Sequence, residues 1–187
     1  SIAFLSLAFV MTNGAEAKSP KTSAANSSAG TAILQGDAAR MVGAQAGVEK
    51  PIDSRKIQTG QKIQVVLSDK VQLKNGPELP RGTILMGTAS VGDAQTGGSA
   101  KLALRFTHAQ LKSGKAVPIK ATIVGIFPAN SSERNDRDLW NAASLKTDQI
   151  NVVPGLALHS NIVDSDSGVF ESTKGDAVKL LPGHWMA

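Results

Sequence analysis

Apolar and polar residues alternate in several short stretches of the chain, with the two-residue period of a β-strand that has one buried face. Residues 62–67 and 101–106 show this alternation most regularly. Their apolar positions predict an inward face made of Ile63, Val65, Leu67, Leu102, Leu104 and Phe106. Apolar runs or alternation predict further strands at residues 84–91, 117–123, 156–162, 169–172 and 177–181.

Turn-forming residues separate these stretches. The Asn-Gly pair at 75–76 is the strongest short hairpin signal, because both residue types tolerate a positive φ. Pro80 has no N–H to donate to a ladder, so it indicates a strand start, an edge or a bulge. The Ser-Gly pair at 113–114 and the Asp/Ser-rich residues 164–168 predict two more turns.

Residues 127–149 break the pattern, because they are polar and have no strand period. One interpretation is a helix start with a capping box at 130–133, followed by a short helix at 134–143. The other is a long excursion loop, a kind of segment that is more often functional than accidental. Together with the strands, this predicts a mostly β fold: a small β-barrel or sandwich of short antiparallel strands, with one short helix or long excursion loop.

Residues 1–17 have the pattern of a secretion signal. Residues 2–11 are apolar and too few to span a bilayer, which takes about 20 residues. Ala15 and Ala17 place small residues at both positions that a signal peptidase reads, so we expect cleavage after Ala17. A buried helix or an uncleaved anchor is the alternative. With neither an initial Met nor a positive segment, the sequence is expected to be clipped at its start.

The rest of the chain divides into two parts. Residues 18–50 are rich in Ala, Ser, Gly and Thr and have few large apolar residues, which is typical of a flexible tether. Residues 51–187 are predicted to form the barrel domain, with 127–149 as its excursion. The chain stops at Ala187 within a strand-like stretch, so we expect clipping there too. No membrane-spanning helix is expected in the mature chain, and the signal predicts export to the periplasm or cell envelope.

Composition excludes several kinds of chemistry. The 187 residues contain no cysteine, so disulfides, a thiol nucleophile, Cys-ligated zinc and a lipid-modified cysteine are excluded. The formal charge is +5, but basic residues are interleaved with acids along the chain. Tyr is absent and no Phe lies in a basic run, so we expect no nucleic-acid partner. A solvated basic surface, or one weakly attracted to anionic envelope polymers, fits this charge pattern.

The order of motifs from residue 57 to 126 resembles a known family. It reads TGQKIQVVL, then VQLKNGPELPRGTILMG, a Gly-rich break, and AKLALRFTHAQLKSGKAVPIKATIVGI. This resembles the C-terminal β-barrel of the TrbI-like scaffold proteins of conjugation and type IV secretion channels. The family's IP-G-T-x-L-x-G element and its later turn correspond to residues 79–83 and 112–114. The chain also resembles small exported proteins of acidobacteria, which share this core and the SGVF…VKL ending.

Two loops have glycines or carboxylates at suggestive spacings. Residues 92–99 have the glycine spacing of a phosphate loop, but Gly98 stands where the lysine is needed and no helix follows, so we interpret them as a hairpin loop. Residues 164–168 place Asp164 and Asp166 in alternation, as calcium loops do. The glycine comes one residue early and the closing Glu is absent, so a plain turn is the favoured interpretation.

No other residues form a recognisable catalytic or metal-binding motif. His108, His159 and His184 share no ligand spacing, and each is expected to be an isolated barrel residue. His108 has the parity of Phe106, so an unbroken strand would put both on one face. The carboxylates Glu133, Asp136 and Asp138 are interpreted as a solvated surface, and no nucleophile elbow accompanies the serines. We therefore expect no cofactor and no catalytic residue.

The sequence leaves three hypotheses for function. The leading one is a non-enzymatic, exported β-barrel module with a binding or scaffolding role toward envelope proteins or polymers, with self-association also open. The second is a component of a type IV secretion or conjugation channel, as the TrbI-like resemblance implies. The third is a hydrolase of envelope polymers, which would need a carboxylate pair or triad in a cleft.

Overall fold

The alternating stretches build the longest strands of the protein. The structure is a computed structural model that describes residues 41–92, 99–131, 150–151, 153–175 and 177–187. Its strands are β1 Ala46–Gly47, β2 Ile52–Asp53, β3 Gln61–Leu67, β4 Val71–Gln72, β5 Glu78–Leu79, β6 Ile84–Gly92, β7 Lys101–Gln110, β8 Ala116–Pro118, β9 Gly125–Phe127, β10 Ile150–Asn151, β11 Leu156–His159, β12 Gly168–Ser172, β13 Lys179–Leu180 and β14 Trp185–Met186. The described residues contain no helix.

Ten strands form one sheet that curls into a nearly closed barrel. Their order is β10-β9-β14-β1-β3-β6-β7-β12-β11, with β8 paired to the far end of β7. All pairings in the sheet are antiparallel except that of β10 with β9. The two ends of this order, β10 and β11, contact each other and are consecutive in the chain. This confirms the predicted mostly β fold and decides for a barrel over a sandwich.

The inward face of the barrel is the one that the alternation predicts. Ile63, Val65, Leu67, Leu102, Leu104 and Phe106 are all buried. Phe170 on β12 adds to this core, and Phe127 on β9 stacks on Trp185 of β14 with ring centroids 4.1 Å apart. Truncating a buried aromatic of this kind to alanine typically costs about 3–5 kcal/mol of stability.

Two small hairpins confirm the turn predictions. β4 pairs with β5 around the turn at Asn75 and Gly76, where Asn75 has a φ of 58°. Gly114 has a φ of 83° and its N–H donates to the carbonyl of Leu111, which closes the turn between β7 and β8. A separate two-stranded sheet pairs β2 with β13.

A β-bulge in β7 overturns the predicted position of His108. Gly87 of β6 lies opposite Phe106, whereas Met86 lies opposite His108, so Thr107 is an extra residue without a partner in this pair. A bulge reverses the parity of everything that follows it. His108 is therefore exposed, while Phe106 and Ala109 are buried.

Two boundaries differ from those predicted by the sequence. β1 lies inside the range 18–50 that was assigned to a tether, yet it pairs with both β3 and β14, and Ala46 is buried. Alternation does not reveal β1, because the strand has only two residues and both are small. Phe127 was assigned to the excursion, but it belongs to β9 and is fully buried. The signal segment, most of the glycine-rich loop and the predicted helix at 134–143 lie outside the described residues.

Gly87 tolerates no side chain, because a Cβ built there would lie 2.0 Å from the carbonyl oxygen of Arg105. Gly87→Ala is expected to destabilise the barrel by about 3 kcal/mol or more, since the obstacle is backbone rather than a flexible side chain. Urea unfolding, monitored by tryptophan fluorescence, measures this change in the free energy of unfolding. Gly47→Ala in β1 is the matched control, because its Cβ would meet nothing closer than 4.0 Å. Equal stability of the two variants would contradict the bulge geometry.

Candidate functional site

An apolar cavity of about 310 Å³ opens at one end of the barrel. Its inner wall is formed by barrel residues, among them Leu67 of β3, Leu85 of β6 and Phe106 of β7. Around its mouth lie residues 41–44 before β1, the β4–β5 hairpin, and residues 119–124 between β8 and β9. The volume falls at the lower end of the roughly 300–1,000 Å³ typical of ligand pockets.

The cavity is open because residues 119–124 leave the sheet after Pro118 and cross to β9. The crossing is tied at both ends: the Ile119 N–H donates to the Thr107 carbonyl at 2.9 Å, and the Ile123 N–H donates to the Ser167 carbonyl at 2.7 Å. Between them, residues 120–122 make no backbone–backbone hydrogen bond within the described ranges. The predicted strand at 117–123 is thus a strand only as far as Pro118.

Two polar side chains, both on this crossing segment, line the otherwise apolar cavity in the part of the chain that the structure describes. Lys120 is exposed and forms no ion pair with a described residue. The Oγ1 atom of Thr122 is buried and has no hydrogen-bond partner there. Burying a hydroxyl without a hydrogen-bond partner typically costs about 1–3 kcal/mol of folding free energy, so native proteins seldom contain one.

The bulge next to the cavity decides which side chains enter it. Phe106 precedes the bulge and lines the inner wall, and Thr107, the extra residue, accepts the hydrogen bond that anchors residue 119. The β7–β8 pairing runs in regular register from Gln110 and Ala116 to His108 and Pro118, and the crossing segment begins directly after it.

The structure places the three histidines on different elements, away from the cavity lining. His108 lies on β7 next to Thr107, whose Oγ1 is 2.9 Å from its Nδ1. His159 lies on β11, with its Nε2 3.8 Å from a carboxylate oxygen of Glu171. His184 precedes β14. Among the described residues, no three or more His, Asp or Glu side chains are arranged to hold a metal ion.

The Asp/Ser-rich turn at 164–168 is anchored to β7. The Arg105 side chain donates to Asp166 Oδ1 at 3.0 Å and to Ser165 Oγ at 2.7 Å. The Ser167 hydroxyl accepts from the Phe106 N–H at 2.9 Å. These contacts give the side chains of the turn a structural role, in line with the plain-turn interpretation. Glu133, Asp136 and Asp138 lie outside the described residues.

Sequence reasoning missed Lys120 and Thr122 as site residues. In a regular strand over the predicted range 117–123, the alternation would place both on the outer face, opposite Ile119 and Ala121. In the structure, residues 119–124 all contribute to the cavity lining, with Lys120 exposed and Ile123 buried. The available signal was Pro118, which ends the ladder two residues before Lys120.

These features define a small antiparallel β-barrel with an apolar cavity at one end and polar groups on one side of its mouth. No family model matches the chain, and no curated protein matches it. Among solved structures, it is similar to ComB10 of the Com type IV secretion system of Helicobacter pylori. The identity is 14% and the TM-score 0.34, over 76% of this chain and 87% of that chain. The resemblance is weak and assigns no function to this chain.

None of the described residues belongs to a helix long and apolar enough to cross a bilayer.

His184 makes stability depend on pH. Burial lowers its pKa from the ordinary value of 6.5, and its Nδ1 accepts a hydrogen bond from the Leu181 N–H at 3.3 Å. The unfolded chain therefore binds this proton at a higher pH than the folded one, so stability falls as pH drops below about 6.5. Melting temperatures determined between pH 7.5 and 5 measure this loss of stability. In His184→Asn, which keeps an acceptor, the fall should be smaller, and an unchanged slope would contradict the assignment.

Proposed function

We propose that this chain is a non-enzymatic β-barrel module of the cell envelope that binds an apolar group in the cavity at the end of its barrel. The observation that carries the proposal is the cavity itself, whose described lining is apolar apart from Lys120 and Thr122. Apolar surface left in contact with water favours burial by about 25 cal/mol per Å². A ligand that fills the cavity gains this free energy without breaking hydrogen bonds of the protein.

The titratable groups also favour binding over catalysis. Enzyme sites bring together side chains with perturbed pKa values in one cleft. Lys120 is the one titratable side chain among the described residues that line this cavity. His184, whose pKa is lowered, is not part of the lining. A hydrolase would need a carboxylate pair, or a nucleophile with a base, at the cavity, whereas the polar side chains of the described lining are Lys120 and Thr122, whose Oγ1 has no hydrogen-bond partner among the described residues.

The envelope location rests on residues 1–17. Their apolar run and the small residues Ala15 and Ala17 support export by a cleaved signal. In the envelope, free lipids, lipid anchors and apolar peptide segments supply apolar groups for such a cavity. The proposed partners are thus envelope components of this kind.

A second candidate is a component of a type IV secretion or conjugation channel. Its support is the pattern of strands and turns from residue 57 to 126, which resembles the TrbI-like barrel. Channel scaffolds of that family act as rings, so the mass in solution separates the two proposals. Light scattering after size exclusion should give a monomer for a stand-alone binding module. A defined ring of many copies would instead favour the channel component.

A bulky side chain that fills the cavity should weaken the binding of an apolar dye. A neutral apolar dye, N-phenyl-1-naphthylamine, is expected to bind the protein saturably with one site, with a rise in fluorescence. Ala121→Trp, at the lining, should weaken binding at least tenfold because the indole takes up the space. Ala116→Trp is the control, since Ala116 is exposed on β8 and outside the lining. Circular dichroism checks that both variants fold. Absence of binding, or equal binding by both variants, would overturn the proposal.

A further inference from the structure

Resting on the proposed binding function, we infer that the occupant of the cavity is a single-chain amphiphile with an anionic head group, held by Lys120 and Thr122. This names the ligand class that the barrel end selects. The inference depends on how polar and apolar groups are distributed around the cavity, and on two groups that have no partner in the part of the chain that the structure describes.

The apolar part of the site fits one short chain. A water molecule takes up about 30 Å³ of the liquid, so 310 Å³ corresponds to about ten groups of that size, such as methylenes. The inner wall, with Leu67, Leu85 and Phe106, presents no hydrogen-bonding side chain to them. A ligand with a polar group at its inner end would lose that group's hydrogen bonds to water. The tail must therefore be apolar to its tip.

Among the described residues of the lining, the polar part of the site is confined to one segment, residues 120–122. Since the polar side chains lie together on one side of the mouth, they fix where a head group sits and which way the tail points. A ligand that is apolar at both ends would make no hydrogen bonds with this segment. A ligand with one polar end contacts the polar segment with its head and the apolar inner wall with its tail.

Lys120 sets the charge of the head group. Two cations on β7 have acidic neighbours: Lys101 lies 3.4 Å from Glu171, and Arg105 lies 3.0 Å from Asp166. Lys120 has no such neighbour within the described ranges, although it stands at the cavity. An ammonium group beside an apolar cavity attracts an anion more strongly than one in open solvent, because part of its surroundings is of low polarity. The complementary head is a carboxylate or a phosphate.

Thr122 supplies the second contact. Its Oγ1 is buried and lacks a hydrogen-bond partner among the described residues, so it is a donor available to an oxygen of the head group. The backbone of residues 120–122 makes no backbone–backbone bond there either and offers further donors. Hydrogen bonds to a charged acceptor are about twice as strong as those between neutral groups. The hydrogen bond from the Thr122 hydroxyl to the ligand is therefore strongest when the ligand is anionic.

The first experiment compares decanoate with decanol, which share a tail and differ in head charge. Each displaces N-phenyl-1-naphthylamine from the full-length mature protein at low salt. Decanoate is expected to bind about tenfold more tightly than decanol. Lys120→Gln should remove this preference by weakening decanoate binding about tenfold. Lys115→Gln is the matched control, because Lys115 is also exposed but lies outside the lining.

The second experiment separates binding from folding. Thr122→Val removes the hydroxyl at nearly constant volume, so the unliganded protein should melt about 4 °C higher, since an unsatisfied buried group is lost. The same variant should bind decanoate several-fold more weakly. A purely structural threonine would give the opposite result, with a lower melting temperature and unchanged affinity.

The outcomes distinguish this inference from the proposed function. If the neutral dye fails to bind, both the proposed binding function and this inference are wrong. If the dye binds but decanoate and decanol bind equally, or Lys120→Gln keeps the preference, the cavity binds apolar groups and the anionic head is wrong. Decyl phosphate separates the two sources of the charge: tighter binding than decanoate indicates a phosphorylated lipid, and weaker binding indicates a fatty acid.

Discussion

Closure of the barrel depends on β14, which lies between β1 and β9. Both β14 and β1 have only two residues, so the hydrogen bonds that they contribute are few. Their stability comes instead from side chains: Trp185 is buried against Phe127, and Met186 lies in the core beside the cavity. Without β14 the order of strands would be interrupted between β9 and β1, and the inward face of the other strands would open to water.

Sequence patterns predict the parts of this fold in which local and tertiary preferences agree. The inward face of Ile63 and Val65 follows the alternation because β3 pairs with β6 in unbroken register along this stretch, and the Asn-Gly turn needs no distant contact. β1 was missed because two small residues carry no period. His108 was misplaced because the bulge at Thr107 depends on the close approach of Gly87, which lies on another strand.

The candidate site lies where the regular structure ends, and this explains why it was harder to predict than the core. Alternation gives the side of a sheet that a residue faces, but Lys120 and Thr122 belong to a crossing segment without a ladder. Their positions follow from contacts made by the flanking residues 119 and 123 with β7 and the turn before β12. Departures from good local structure are expected at functional sites more often than elsewhere, and the Thr122 hydroxyl, which has no partner among the described residues, is one of them.

The pairing of β1 with β14 joins residues far apart in the chain, and this has a consequence for the order of events in folding. Contacts of such high sequence separation form slowly, because the loop between them must be closed before they contribute. β3, β6 and β7 are consecutive neighbours that can associate early, whereas the barrel stays open until residues 185–186 arrive. A chain that is still being synthesised would therefore keep an open, incomplete barrel until the residues of β14 are available.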